Sequence, residues 1–203
     1  SAYFNPSPSY GQGSYTGGDG TTTTLWTYTT DSEGNATITG YKGSASSLAI
    51  PSVIDGYTVM KIGDDAFRNN TNLRSVTMAD SVAEIGEYSF YNCTNLGNIK
   101  LSRNLTTIGQ QAFEYCKALT NIEIPKELTS IGCDYYFGNV YDRNGIFTGT
   151  SLKNVSFEEG ITKIPNNLFV DCDSLEKIEV PDTVIEIGNH AFHECSNLSD
   201  VTI

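Results

Sequence analysis

The stretch IGEYSFYNCTNL, residues 85–96, returns at residues 108–119 as IGQQAFEYCKAL, with isoleucine, glycine, phenylalanine, cysteine and leucine at identical offsets. Taking Ile62 as position 1, the isoleucine recurs at Ile85, Ile108 and Ile131, spaced by 23, then at Ile164 after 33 and at Ile187 after another 23. Position 6 is Phe67, Phe90, Phe113, Phe169 and Phe192. Position 12 is Leu73, Leu96, Leu119, Leu152, Leu175 and Leu198, the fourth after ten inserted residues. Positions 15 and 17 are apolar throughout, as in Ile122 and Ile124. Five complete repeats and one partial repeat therefore fill residues 62–203.

Two periods coexist within the unit. Positions 15 and 17 are two apart and share one side of a short strand, whereas positions 5, 6, 9 and 12 follow the three-to-four spacing of a helical turn. A unit that buries one narrow stripe is unstable alone, but stacked copies share a continuous core. The expected architecture is an α/β, mainly β solenoid. Parallel strands about 4.8 Å apart line one face, and short helical turns line the other.

Outside the repeats, residues 1–20 are rich in Gly, Ser, Pro and Tyr with almost no aliphatic side chains, which predicts a flexible linker or tail. Residues 21–61 alternate β-formers around the turn DSEGN and read as a β-rich cap with a hairpin. The chain opens at Ser1, as a processed product would. Asp and Glu number 24 against 12 Lys and Arg, a formal charge of −12, which disfavours nucleic-acid and anionic-membrane partners. No apolar run reaches the roughly 20 residues that span a bilayer.

Cys93, Cys116, Cys172 and Cys195 all occupy position 9, and only Cys133 lies elsewhere. Side chains that point in parallel into a core cannot cross-link, and a row without a CxxC pair does not build a zinc tetrahedron. These cysteines are read as buried free thiols that fill one tight slot. His190 and His193, three apart beside Glu194, superficially suggest metal ligands, but their equivalents in other repeats are solvent-type residues. Asp142, Asn144 and Gly145 lack the rest of a calcium loop. Glu123 and Glu179, two repeats apart and so about 10 Å from each other, are too widely spaced for a glycosidase pair. No nucleophile elbow, phosphate loop or H-E-x-x-H motif occurs. Neither a cofactor nor a catalytic centre is expected.

Two candidate binding surfaces remain. The insertion in the fourth repeat brings together Tyr135, Tyr136, Phe137, Tyr141 and Arg143, residue types enriched at binding hot spots. The outward strand positions give the other. Thr77, Lys100, Glu123, Ser156 and Glu179 stand at position 16, and Asn98, Asn121 and Asn154 at position 14. They form a flat polar face suited to an extended protein or glycan partner.

The pattern L-x-x-I-x-I, with I-G-x-x-A-F-x-x-C-x-x-L around it and Pro125 or Pro181 at position 18, resembles the BspA-like, or Treponema-pallidum-type, leucine-rich repeat. The resemblance covers residues 62–203, and residues 36–63 look like the N-terminal cap of that family. It implies a right-handed leucine-rich-repeat solenoid exported to the cell surface or secreted. It also implies a non-enzymatic role in adhesion to host matrix proteins, such as fibronectin and fibrinogen, or to other cells. The alternative function is a carbohydrate-binding or positioning module attached to a larger enzyme. Departures from the pattern are Asn70 and Gly149 at position 9, Pro165 in place of glycine, and the insertion.

Overall fold

Each period holds two extended stretches, around positions 14–17 and at the isoleucine of position 1. The computed structural model, which describes residues 10–16, 22–132 and 145–203, pairs both from coil to coil. The chain begins with β1 (Tyr10–Thr16), β2 (Thr22–Thr30), β3 (Asn35–Tyr41), β4 (Ser47–Ile50), β5 (Val53–Ile54) and β6 (Tyr57–Ile62). Face strands then alternate with two-residue corner strands. They are β7 (Ser75–Met78) and β8 (Glu84–Ile85), β9 (Asn98–Lys100) and β10 (Thr107–Ile108), and β11 (Asn121–Ile124) and β12 (Ser130–Ile131). After them come β13 (Asn154–Phe157) and β14 (Lys163–Ile164), β15 (Lys177–Glu179) and β16 (Glu186–Ile187), and β17 (Asp200–Thr202).

Residues 10–16 do not form the linker expected over residues 1–20, because β1 pairs antiparallel with β2. Composition argues against a core there, yet a strand edge supplies backbone partners to any neighbour that can extend. The strands of residues 21–61 pair directly with those of the repeats. β3 runs parallel to β6 with Ile38 opposite Ile62, and β4 runs parallel to β7 with Leu48 opposite Val76, so the ladder passes from the cap into the repeats without a break.

The far side of each coil is not helical; among the described residues there is no helix. Positions 4 and 8 are left-handed, as at Asp65 (φ 58°) and Asn69 (φ 61°), Gln111 (φ 53°) and Tyr115 (φ 60°), and Asn167 (φ 61°) and Asp171 (φ 57°). A left-handed residue every fourth position stops a helix, and Asp and Asn bear that conformation best. Two linked tight turns result, and they turn positions 5, 6, 9 and 12 inward as a helix would. Alternate amides bond to the next coil instead of their own: Asp65 to the Glu87 carbonyl at 2.9 Å, Phe67 to Ser89 at 2.7 Å and Asn69 to Tyr91 at 2.8 Å.

The turns align the rings at position 6 into a column. Phe67 and Phe90 stack at 4.9 Å and 6°, and Phe90 and Phe113 at 5.2 Å and 9°. Trp26 closes the N-terminal end edge-on to Phe67 at 6.5 Å. In the fourth repeat the column is continued by Phe147, stacked on Phe113 at 5.7 Å and on Phe169 at 6.0 Å. That placement corrects the expected register. The insertion is one residue longer than ten, offset by one residue fewer between Phe147 and Leu152 than between Phe113 and Leu119. Gly149 (φ 71°) therefore takes the left-handed position 8, and Thr150 takes position 9.

The thiols at position 9 donate to a backbone carbonyl of the preceding coil. Cys93 bonds to Phe67 O at 3.1 Å, Cys116 to Phe90 O at 3.2 Å and Cys195 to Phe169 O at 3.0 Å. Cys172 cannot repeat the contact, since the Thr150 hydroxyl holds Phe147 O at 2.7 Å. Its sulfur lies 4.0 Å from Val170 O instead, and its interaction with the neighbouring Cys195 thiol raises Cys172 and lowers Cys195. Burial pushes Cys93 up to about 12 and Cys116 well above its ordinary value. All four are free cysteines, but Cys195, in the last coil, is only half-buried. Cys133 lies outside the described residues.

Three junctions lack ladder pairing: β9 to β11, β12 to β14, and β13 to β15. A proline follows the second strand of each: Pro125, Pro165 and Pro181. At position 2 the glycine amide donates to the isoleucine carbonyl one coil back, as Gly86 does to Ile62 O and Gly109 to Ile85 O, both at 2.7 Å; Pro165 has no N–H to give. At position 18 Ala79 donates to Ile50 O at 3.1 Å and Glu158 to Ile124 O at 2.9 Å, bonds that Pro125 and Pro181 cannot make. Within the phenylalanine column the widest and most tilted contact, Phe147–Phe169 at 6.0 Å and 23°, lies where both sides are open.

Phe113→Ala is expected to cost about 3–5 kcal/mol, read from the denaturant midpoint. A loss below about 1 kcal/mol would place Phe113 outside the core. In a Cys133→Ser background, a thiol reagent is expected to label Cys195 first and Cys93, Cys116 and Cys172 only on unfolding. Peptide mapping by mass spectrometry checks the order.

Candidate functional site

The pleat sends positions 15 and 17 inward and positions 14 and 16 outward. Thr77, Lys100, Glu123, Ser156 and Glu179, with Asn98, Asn121 and Asn154, are accordingly all exposed. Register brings Thr77 beside Lys100, Asn121 beside Asn154, and Glu123 beside Ser156. Asn154 donates from Nδ2 to Asn121 Oδ1 at 2.8 Å, a polar rung across the face. A shallow depression of about 420 Å³ crosses β7, β9, β11 and β13.

Charges on this face fall into two groups. Lys177 Nζ lies 2.7 Å from Glu179 Oε1. That contact raises the lysine and lowers the carboxylate, each through its hydrogen bond to the other. Lys100, Arg103 and Glu123 make no ion pair among the described residues.

A second feature lies on the turn side. Arg68, bonded to Asp65 at 2.9 Å, places its guanidinium 5.1 Å from the Tyr88 ring centre and 4.8 Å from that of Tyr91. Tyr91 meets Tyr115 edge-on at 5.6 Å. Sequence reasoning missed this strip because its members sit at positions 7, 4, 7 and 8 of successive coils, where no residue type repeats. It also missed Arg103 and Glu158, which lie beyond the strands. Tyr135, Tyr136, Tyr141 and Arg143 lie outside the described residues. His190 and His193 meet edge-on at 5.4 Å, and no group of metal-ligating side chains is found among the described residues.

A sequence profile of the BspA type leucine rich repeat region matches residues 41–142 and 143–203, in six copies. The chain belongs to the BspA-type leucine-rich repeat family. The match begins upstream of Ile62, in agreement with the continuous ladder. Among solved structures, this BspA-type chain is similar to a leucine rich repeat protein of T. pallidum, with 27% identity and TM-score 0.65 over 88% of this chain and 79% of that one. A leucine-rich repeat protein from Bacteroides capillosus is 32% identical, with TM-score 0.54, over 66% of this chain and 94% of its own. A leucine rich cell surface protein from Faecalibacterium prausnitzii is 28% identical, with TM-score 0.53, over 93% of this chain and 54% of its own. A comparison with curated proteins finds no match. Among the described residues no helix is long and apolar enough to cross a membrane.

Because Lys100 and Glu123 are exposed and make no ion pair, changing both to Ser is expected to leave stability within about 0.5 kcal/mol of the parent. Thermal and urea unfolding check this, and a larger loss would mean the two side chains hold the stack together.

Proposed function

We propose that this chain is a non-enzymatic, protein-binding module of a secreted or cell-surface protein, and that its strand face is the binding surface. The observation that carries the reading is the face itself: exposed polar side chains on adjacent parallel strands, with three neighbouring charges that make no ion pair among the described residues. Catalysis and small-molecule capture call for enclosure and convergent polar groups, whereas an extended concave surface suits a macromolecule. Membership of the BspA-type family and likeness to a cell-surface protein of F. prausnitzii support the setting. Within it, we assign adhesion to host matrix proteins or to other cells. The strip of Tyr88, Tyr91 and Tyr115 supports a second reading, positioning on carbohydrate, because tyrosine rings offer faces for sugars.

Surface plasmon resonance against fibronectin, fibrinogen and other matrix proteins, in parallel with a glycan array, is expected to return a protein partner. Lys100→Ser with Glu123→Ser should weaken that partner at least tenfold, about 1.4 kcal/mol. Replacing residues 134–143 with a short Gly-Ser turn should weaken it less. The opposite ranking would move the site to the insertion, and glycan hits alone would favour the carbohydrate reading.

A further inference from the structure

Three observations converge on the junction between β9 and β11. The ladder is open there, with Pro125 in the place where Ala79 and Glu158 close other junctions. Ile99 is half-buried, as is Val155 beside the other open face junction, whereas Val76, Ile122 and Ile178 at the same position are 1%, 4% and 1% exposed. A cleft of about 400 Å³ opens at the same place. It is lined by the apolar Ile99, Leu101 and Pro125, the basic Lys100 and Arg103, and the acidic Glu123 and Glu158.

We propose that this cleft docks an extended polypeptide segment of a partner protein. One apolar side chain sits on Ile99 and Pro125, an acidic neighbour faces Lys100 and Arg103, and a basic neighbour faces Glu123. The inference rests on the strand-face reading and narrows it to one junction and one class of partner. The apolar lining is aliphatic, without the aromatic platform that favours a sugar ring, and the charges of both signs match a peptide bearing both. β9 and β11 form no ladder with each other, but the Phe90–Phe113 stack at 5.2 Å keeps their coils too close to admit a strand between them, so the segment lies over the cleft and is held by its side chains. The similar junction between β13 and β15 is a weaker candidate, because Lys177 and Glu179 there already neutralise each other at 2.7 Å.

The test is panning a phage-displayed library of random twelve-residue peptides on the whole chain, followed by affinity measurement on Pro125→Ala, Pro181→Ala and Lys100→Ser. Pro125→Ala supplies the missing amide opposite the Leu101 carbonyl and should close the cleft; hydrogen exchange at position 125 reports whether that amide becomes protected. Enriched peptides are expected to carry an acid, an apolar residue and a base in sequence. They should bind Pro125→Ala and Lys100→Ser at least tenfold more weakly, and Pro181→Ala within about twofold of the parent. No enrichment, enrichment of peptides that bind Pro125→Ala as well as the parent, or an unprotected amide with unchanged affinity would overturn the proposal. If the strand-face double variant loses a protein partner that Pro125→Ala keeps, the strand face stands as the site and the cleft falls. If neither variant loses it, both fall.

Discussion

One distance governs this molecule: the gap at which a coil can rest on the coil before it. Parallel strand pairing sets that gap near 4.8 Å, and it is imposed at the face strands, at the corners and along the alternate amides of the turn side. Side chains then accept what the backbone dictates. Flat rings suit it, and the phenylalanine column runs at 4.9–6.0 Å between centroids. A small thiol that reaches a carbonyl of the coil before it suits it too. The recurrence of cysteine is thus a packing fact with a hydrogen bond attached, and burial keeps Cys93 and Cys116 protonated and chemically quiet.

The same rule explains what could be read from the sequence. Every position that touches its own equivalent in the next coil must repeat, so the isoleucines, phenylalanines, leucines and cysteines announced the solenoid, the inward strand positions and, by subtraction, the outward ones. Positions that do not touch their equivalents carry no such signature. Tight turns with left-handed residues mimic the spacing of a helix, and Tyr88, Gln111 and Tyr115 are not residues that advertise positive φ. Ile146 and Phe147 stand next to each other in the sequence, and only the ring column shows which of them continues position 6. β1 was hidden because its pairing rests on backbone groups, which leave no trace in composition.

The candidate site was half legible. Periodicity gave the outward residues and so the face, but not the places where the face opens. Those depend on prolines whose effect is felt one coil away, at a carbonyl left without its donor. Pro125 and Pro181 look like ordinary members of the repeat when read along the chain. In three dimensions they divide the face into separate sheets, and Lys100, Arg103 and Glu123 stand beside one of the gaps.

The fourth and fifth coils meet with neither the face strands nor the corner strands paired, held by side-chain packing and a few scattered hydrogen bonds. Under tension along the stack axis, junctions with closed ladders share the strain among many short bonds, while this one has only scattered ones, such as Ser174 Oγ to Thr150 O at 3.4 Å and Ile185 N to Thr162 O at 2.9 Å. Extension would begin there, which makes the solenoid two stiff rods joined by a compliant seam rather than a uniform spring.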